Sequence, residues 1–218
     1  MLNPGAIAAV IFDMDGLVLD TESTYCLAWQ QAAAAMGHDL PDEFCRSLSG
    51  LHHREVEQKL LTVCGADFKL SVFHQAAGRL WRDYVNTHGI RIKPGFVELL
   101  DMIRQRQLPF CLATNSHAVN ALECLELAGL DGVFATRLTR DDVACAKPAP
   151  DIFLKAAEVM RVDIRQCLVL EDSYTGIVAA HRAGAFPVYV PSVRPADPAA
   201  IALCSMMADD LRQLLAII

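Results

Sequence analysis

No C-x-x-C pair occurs in this chain, although it holds 8 cysteines. Cys26, Cys45, Cys64, Cys111, Cys124, Cys145, Cys167 and Cys204 are widely scattered and mostly set in apolar surroundings. Without a His/Cys cluster, zinc sites and disulfide frameworks give way to buried, reduced thiols. Basic residues are also in short supply: 19 Lys+Arg face 26 Asp+Glu, for a formal net charge of -7. A general nucleic-acid binder needs a basic face to meet phosphates, so no nucleic-acid partner is expected. No apolar run approaches the roughly 18 to 20 residues that span a bilayer, which leaves no membrane partner. Pro4-Gly5, the lack of a basic stretch before them, and the acidic residues directly after the first apolar run do not read as a signal peptide. The expected location is therefore cytoplasmic. Charged residues make up only 21% of the sequence and hydrophobic ones 53%, a balance that favours tight packing over disorder.

What is present is an alternation. Short apolar runs, Ala6 to Phe12, Pro109 to Thr114, Gly132 to Ala135, Cys167 to Leu170 and Pro187 to Val190, have the length and continuity of strands buried on both faces. Segments of helical period lie between them, such as Phe96, Leu99, Leu100 and Ile103, or Phe153, Ala156, Ala157 and Met160. Pro150 marks a first turn, Ser173 an N-cap, and Gly129 and Gly184 the positions just past helix ends. This alternation predicts an α/β fold with a doubly wound parallel sheet. From about Glu22 to His88 the alternation stops and several helices follow one another, with the Gly and Pro of Gly89 to Gly95 as the exit. The expected organisation is a core from residues 1-19 and 90-218 with an inserted helical domain at 20-89. Whether the protein is a monomer or a weak dimer is not written in the sequence.

The first predicted strand runs into IFDMDGLVLDTE, with Asp13 and Asp15 separated by one residue. A calcium loop does not explain them, because an EF-hand counted from Asp13 would need Gly and Glu where Val18 and Thr24 stand. A pair of turn-capping aspartates is the simpler alternative. Sites in open parallel sheets gather beyond the carboxyl ends of the strands. There Thr114-Asn115-Ser116 ends one further run and Glu171-Asp172-Ser173 another, while Lys147 lies in a loop that leads into a helix. Carboxylates converging on one volume repel each other, by about 4 kcal/mol for two unit charges 4 Å apart at an effective dielectric near 20. A divalent cation and a lysine offset that repulsion, and oxygen-only ligands suit Mg²⁺ rather than zinc. The same groups suit a phosphoryl transfer, with Asp13 as nucleophile and Asp15, aimed by a turn at Gly16, as general acid and base.

Four stretches in order, Asp13-Met14-Asp15-Gly16-Leu17-Val18-Leu19-Asp20-Thr21-Glu22, Thr114-Asn115-Ser116, Lys147-Pro148-Ala149-Pro150-Asp151 and Glu171-Asp172-Ser173, closely resemble the haloacid dehalogenase superfamily in its phosphatase and phosphomutase branch. The resemblance implies Mg²⁺ held by Asp13, the backbone carbonyl of Asp15 and Asp172. It also implies that Thr114 and Lys147 hold phosphoryl oxygens and that Glu171 assists from behind them. The insertion looks like the family's α-helical cap, which closes over the site and contacts substrate. Dehalogenase and phosphonatase branches lack an acid at the position of Asp15, which points away from C–halogen and C–P cleavage. AKPAPDIF and LEDS look like β-phosphoglucomutases, yet those carry a His in the first cap helix where this chain has Tyr25.

That departure favours transfer to water. The resemblance thus implies a phosphatase of a small phosphorylated metabolite, a sugar phosphate by preference, with a phosphomutase and a non-catalytic binding protein as alternatives. Asn115 is a candidate phosphate contact, and Ser116 either lies in the site or caps the next helix. His52, His53 and Arg54 are candidates for the distal end of the substrate, or else a solvated helix start. Asp20 and Thr21 read as hinge or capping residues, and Trp81 and Tyr84 as core of the insertion.

Overall fold

The computed structural model describes residues 7–48, 51 and 53–217. Candidate residue His52 lies outside the described residues, as does the side chain of His53. The chain divides into two compact units, one made of the residues up to Asp20 and from Arg91 onward, the other of Thr21–Ile90.

The first unit is built on a six-stranded parallel sheet in the order β3-β2-β1-β4-β5-β6. Its strands are β1 (Ala9–Phe12), β2 (Phe110–Ala113), β3 (Arg137–Leu138), β4 (Cys167–Glu171), β5 (Phe186–Tyr189) and β6 (Met206–Met207). Side chains alternate between the faces of a strand, and the packing divides accordingly. Ala9, Ile11, Cys111, Ala113, Cys167 and Val169 form one buried cluster with Ile152, Phe153, Ala156, Ala157, Ala179 and Ala180 from the helices Asp151–Met160 and Tyr174–Ala183. The intervening Phe12 meets Phe96 edge-on at 5.6 Å and Phe134 at 5.9 Å, between ring centroids. Helix Phe96–Gln105 buries Phe96, Leu99, Leu100 and Ile103, the four positions with helical spacing.

One expected strand is displaced. Gly132 to Ala135 forms a turn, with Gly132 at φ 69°, and the strand starts two residues later at Arg137. The apolar signal there comes from Phe134, which is buried against Phe12, Phe96 and Phe110 without joining the sheet. The two-residue strand β6 lies outside the runs expected as strands, at the end of an apolar stretch whose first part forms the helix Pro198–Leu203.

The second unit contains, among its described residues, four helices: α1 (Thr21–Ala35), α2 (Asp42–Arg46), α3 (His53–Cys64) and α4 (Leu70–His88). Leu40, Cys45, Leu48, Val56, Leu60, Phe68, Phe73 and Ala77 are among the residues of its core. Trp81 of α4 is buried, stacks on Tyr25 of α1 with ring planes 6° apart, and donates from Nε1 to Thr24 Oγ1 at 2.9 Å. Trp81 is thus core, whereas Tyr84 lies half-buried and stacks on His88.

The helices on either side of the site begin and end where local chemistry dictates. The fifth to eighth helices are α5 (Phe96–Gln105), α6 (Ala118–Leu127), α7 (Asp151–Met160) and α8 (Tyr174–Ala183). Ser173 caps α8 by accepting from the Gly176 amide at 3.1 Å, and Gly184 ends it at φ 79°. Gly176 has a further reason to be glycine: a Cβ there would stand 1.8 Å from the Glu171 carboxyl carbon. Gly176→Ala should therefore lower the unfolding free energy by about 3 kcal/mol, the upper end of overpacking penalties. Gly78→Ala is the control, since nothing lies within 4 Å of a Cβ at this α4 position. It should add roughly 0.5–1 kcal/mol. Urea unfolding of both variants checks the pair, and equal stabilities would contradict the close approach.

Candidate active site

Register places the carboxylates. Phe12 pairs with Leu112 on β2 and with Leu170 on β4. One step further, Asp13 comes level with Ala113 on one side and Glu171 on the other. The Asp13 amide donates to the Leu170 carbonyl at 3.0 Å, so the β1–β4 ladder extends to the nucleophile candidate itself. Immediately afterwards the chain turns: Gly16, at φ 78°, donates to the Leu19 carbonyl at 2.8 Å, while Val18 and Leu19 both donate to the Met14 carbonyl. This is the turn expected at Gly16, and its positive φ suits glycine. The chain's two passes beside the insertion are tied together there, with Asp20 accepting from Arg91 at 2.8 Å and Lys93 N donating to Val18 O at 2.8 Å.

Lys147 is the hub. Its ammonium donates to Asp13 Oδ1 at 2.5 Å, to Glu171 Oε1 at 2.7 Å and to the Ala113 carbonyl at 2.8 Å, and stands 4.9 Å from the centroid of the Phe153 ring. The residue is only 7% exposed and Glu171 is 0% exposed, so this is a buried ion cluster and not a surface pair. Asn115 clamps the loop that carries Lys147: its Nδ2 donates to the Lys147 carbonyl at 3.2 Å, and its Oδ1 accepts from the Lys147 amide at 3.0 Å. The sequence pointed to Asn115 for phosphate, whereas the structure gives its side chain to the lysine's main chain.

The second oxygen of Glu171 is equally occupied. Oε2 accepts from the amides of Asp172 at 3.1 Å and Ser173 at 3.2 Å, and from Ser173 Oγ at 3.0 Å. Glu171 therefore joins the lysine to the first residues after β4, a role that sequence reasoning left as vague assistance. The signal for it was Gly176, whose missing Cβ makes room for the carboxylate.

Three of the carboxylates, those of Asp13, Glu171 and Asp172, bring ligand oxygens within 4.8 Å of one another, all buried. Burial pushes the Asp13 carboxyl well above the usual carboxylate range, with Glu171 and Asp15 adding to the push and the Lys147 ammonium opposing it. For Lys147, burial disfavours the charge, but the carboxylates of Asp13 and Glu171 more than offset this and hold its pKa above that of an ordinary lysine. Three carboxylates against one ammonium leave surplus negative charge, and the donors are all oxygen. That set fits a hard divalent cation of the Mg²⁺ type. On the β2 side, Thr114 is buried and its Oγ1 accepts from the Ser116 amide at 3.0 Å. Asp15 Oδ2 accepts from Ser116 Oγ at 2.7 Å and from Thr114 Oγ1 at 3.4 Å.

Asp13, Asp15, Thr114, Asn115, Lys147, Glu171 and Asp172, distant in sequence, are thus gathered at the carboxyl ends of β1, β2 and β4 and the adjoining loop. His53 and Arg54 belong to α3 in the helical unit. A parallel sheet that ends in buried acids gathered around one lysine suits phosphoryl transfer. The family model for haloacid dehalogenase-like hydrolases matches residues 7–184, and the chain belongs to that family. It is 30% identical over 185 residues to a phosphorylated carbohydrates phosphatase of Thermotoga maritima, covering 83% of each chain. It is also 30% identical over 193 residues to a β-phosphoglucomutase of Bacillus subtilis, covering 86% of this chain and 84% of that one. Among solved structures, a HAD family hydrolase from Deinococcus radiodurans R1 with bound phosphate and sodium superposes with a TM-score of 0.81 at 25% identity, over 97% of this chain and 94% of that one.

Removing the lysine strands two buried carboxylates. Lys147→Met should cost roughly 3–5 kcal/mol of unfolding free energy, the usual penalty for breaking a buried ion pair from one side. Chemical denaturation in buffer free of divalent ions checks this, and a neutral result would show that the cluster is not held by the ammonium.

Proposed function

We propose that this protein is a Mg²⁺-dependent phosphatase that hydrolyses a small phosphorylated metabolite, a sugar phosphate by preference, through an aspartyl-phosphate on Asp13. The observation that carries the reading is the Lys147 ammonium shared between Asp13 and Glu171, with Asp172 beside them. Such a group is costly to bury and serves no packing purpose that apolar side chains would not serve as well.

In the first half-reaction, an oxygen of Asp13 attacks phosphorus while the bond from phosphorus to the ester oxygen breaks. Asp15 delivers a proton to the departing alkoxide. In the second, Asp15 takes a proton from water, the water oxygen attacks the same phosphorus, and the bond to Asp13 breaks to release inorganic phosphate. Lys147 fixes Asp13 for attack and, with the Thr114 hydroxyl, offsets charge on the transferring oxygens. Asp13, Asp172 and the backbone carbonyl of Asp15 are the proposed Mg²⁺ ligands, with Glu171 behind them. When bound, the ion supplies positive charge against the phosphoryl oxygens.

Asp13→Asn should abolish turnover of a panel of sugar phosphates, as should EDTA, with Mg²⁺ restoring only the latter. Full activity of Asp13→Asn would rule out the nucleophile, and inertness of the intact protein towards the whole panel would favour a non-catalytic binding role.

The relative named as a mutase keeps a second reading in play, and product analysis separates the two. α1 contains no histidine, and Tyr25, where the mutases carry one, lies flat on Trp81 at 5.0 Å. Release of inorganic phosphate supports hydrolysis, whereas an isomeric phosphoester formed in the presence of a sugar bisphosphate would support the mutase. In the helical unit, Arg54 and His53 are proposed substrate contacts on the strength of the resemblance. For Arg54→Ala, KM for a sugar phosphate should rise about 10-fold or more with little change in kcat, the mark of lost uniform binding. An unchanged KM removes Arg54 from the site.

A further inference from the structure

Ser116 entered with two candidate roles, a place in the site or the cap of the helix that follows. The structure gives the capping work to another residue. The N-cap position of α6 is His117, which makes no side-chain cap bond of its own. Asp141, reaching over from the loop after β3, accepts from the Ala118 amide at 2.8 Å through Oδ2 and meets His117 Nδ1 at 2.6 Å through Oδ1.

With the helix end served by Asp141, the Ser116 hydroxyl is directed to Asp15 Oδ2, to which it donates at 2.7 Å. Both partners have fixed main chains. The Ser116 amide is held by Thr114 Oγ1 at 3.0 Å and its carbonyl accepts from the Arg140 amide at 3.0 Å. Asp15 sits at the mouth of the Gly16 turn, where Gly16 N and Leu19 O close the loop at 2.8 Å. A carboxylate on a two-bond stem can still rotate when its backbone is fixed, and the 2.7 Å bond from Ser116, beside the longer one from Thr114 Oγ1 at 3.4 Å, restrains that rotation.

We infer that Ser116 is a positioning residue, which sets the direction of the Asp15 carboxylate for proton transfer to the leaving oxygen. The inference rests on the reading of Asp15 as general acid given above. Its signature is selective. Proton delivery matters for an alkyl ester, whose alkoxide leaves poorly, and hardly at all for nitrophenyl phosphate, whose leaving group departs without a proton. Comparing kcat/KM is decisive, because this ratio reports steps up to loss of the leaving group and is blind to later hydrolysis of the aspartyl-phosphate.

The test measures kcat/KM for a hexose phosphate and for p-nitrophenyl phosphate in the intact protein and in Ser116→Ala, Ser116→Thr and Asp15→Ala, all with Mg²⁺. Ser116→Ala should lose roughly 10- to 100-fold on the hexose phosphate, a share of the 10²–10⁴ that a positioned acid supplies. On the nitrophenyl ester it should change less than about 3-fold, because no acid contribution is at stake there. Ser116→Thr, which keeps the hydroxyl, should restore the hexose phosphate rate. Should Ser116→Ala fail to fold, Ser116→Cys takes its place, with similar shape and a much weaker donor. If Asp15→Ala shows the selective loss and the Ser116 variants lose both esters equally or neither, the positioning role is overturned while the acid survives. If Asp15→Ala itself is unselective, or the intact protein turns over neither ester, the acid assignment falls and this inference falls with it.

Discussion

The ammonium of Lys147, buried between Asp13, Glu171 and the Ala113 carbonyl, is the constraint on which the rest of the core depends. Taking a charge out of water is expensive, and three acceptors at 2.5 to 2.8 Å are what make it tolerable. Every neighbouring choice then follows. The strand register must bring Asp13 level with Glu171, so β1 must lie between β2 and β4. The loop bearing Lys147 must be held at both its amide and its carbonyl, which is the work of Asn115. The ammonium also lies over an aromatic face, 4.9 Å from the centroid of the Phe153 ring.

Glu171 passes that constraint on to the end of β4. One oxygen serves the lysine and the other collects two amides and a hydroxyl, so a fully buried carboxylate has a partner on each side. The hydroxyl belongs to Ser173, which donates to Glu171 and accepts from the Gly176 amide in the same arrangement. One serine thus caps α8 and anchors the acid, and the positive end of the helix faces negative charge. The Asp172 side chain is delivered to the cluster because the residues on both sides of it are fixed.

Much of this was legible in the chain. Continuous apolar runs ending in acids or hydroxyls gave the central strands β1, β2 and β4, since strands buried on both faces cannot alternate. Gly16 and Ser173 announced a turn and a cap through local chemistry that needs no partner from afar. Edge elements were not legible. β3 and β6 have two residues each, and pairing with a neighbour, not their own composition, makes them strands. Gly132 to Ala135 misled for the complementary reason, because Phe134 is apolar for the sake of an aromatic cluster. At the site, residue types were readable and their partners were not. Asn115 and Lys147 are 32 positions apart, and Ser116 and Asp15 are 101 apart. Such bonds follow only from register.

Equal identity to a phosphatase and to a phosphoglucomutase has a physical meaning. In the mechanism proposed here, both outcomes begin with the same attack of Asp13 on phosphorus, and the groups that promote it all lie on the sheet unit. The outcomes part only when the aspartyl-phosphate meets its acceptor, water or a second hydroxyl. Overall identity is dominated by the shared half-reaction and by the buried strands beneath it, so it cannot separate them. The choice of acceptor depends on a few groups outside that core. α1 contains no histidine, and its Tyr25 ring is engaged in helix packing against Trp81. In the mechanism proposed here Asp15 can take a proton from either acceptor, so the choice rests on whether a second sugar hydroxyl is held in line with phosphorus; without such orientation water, present in large excess, has the advantage.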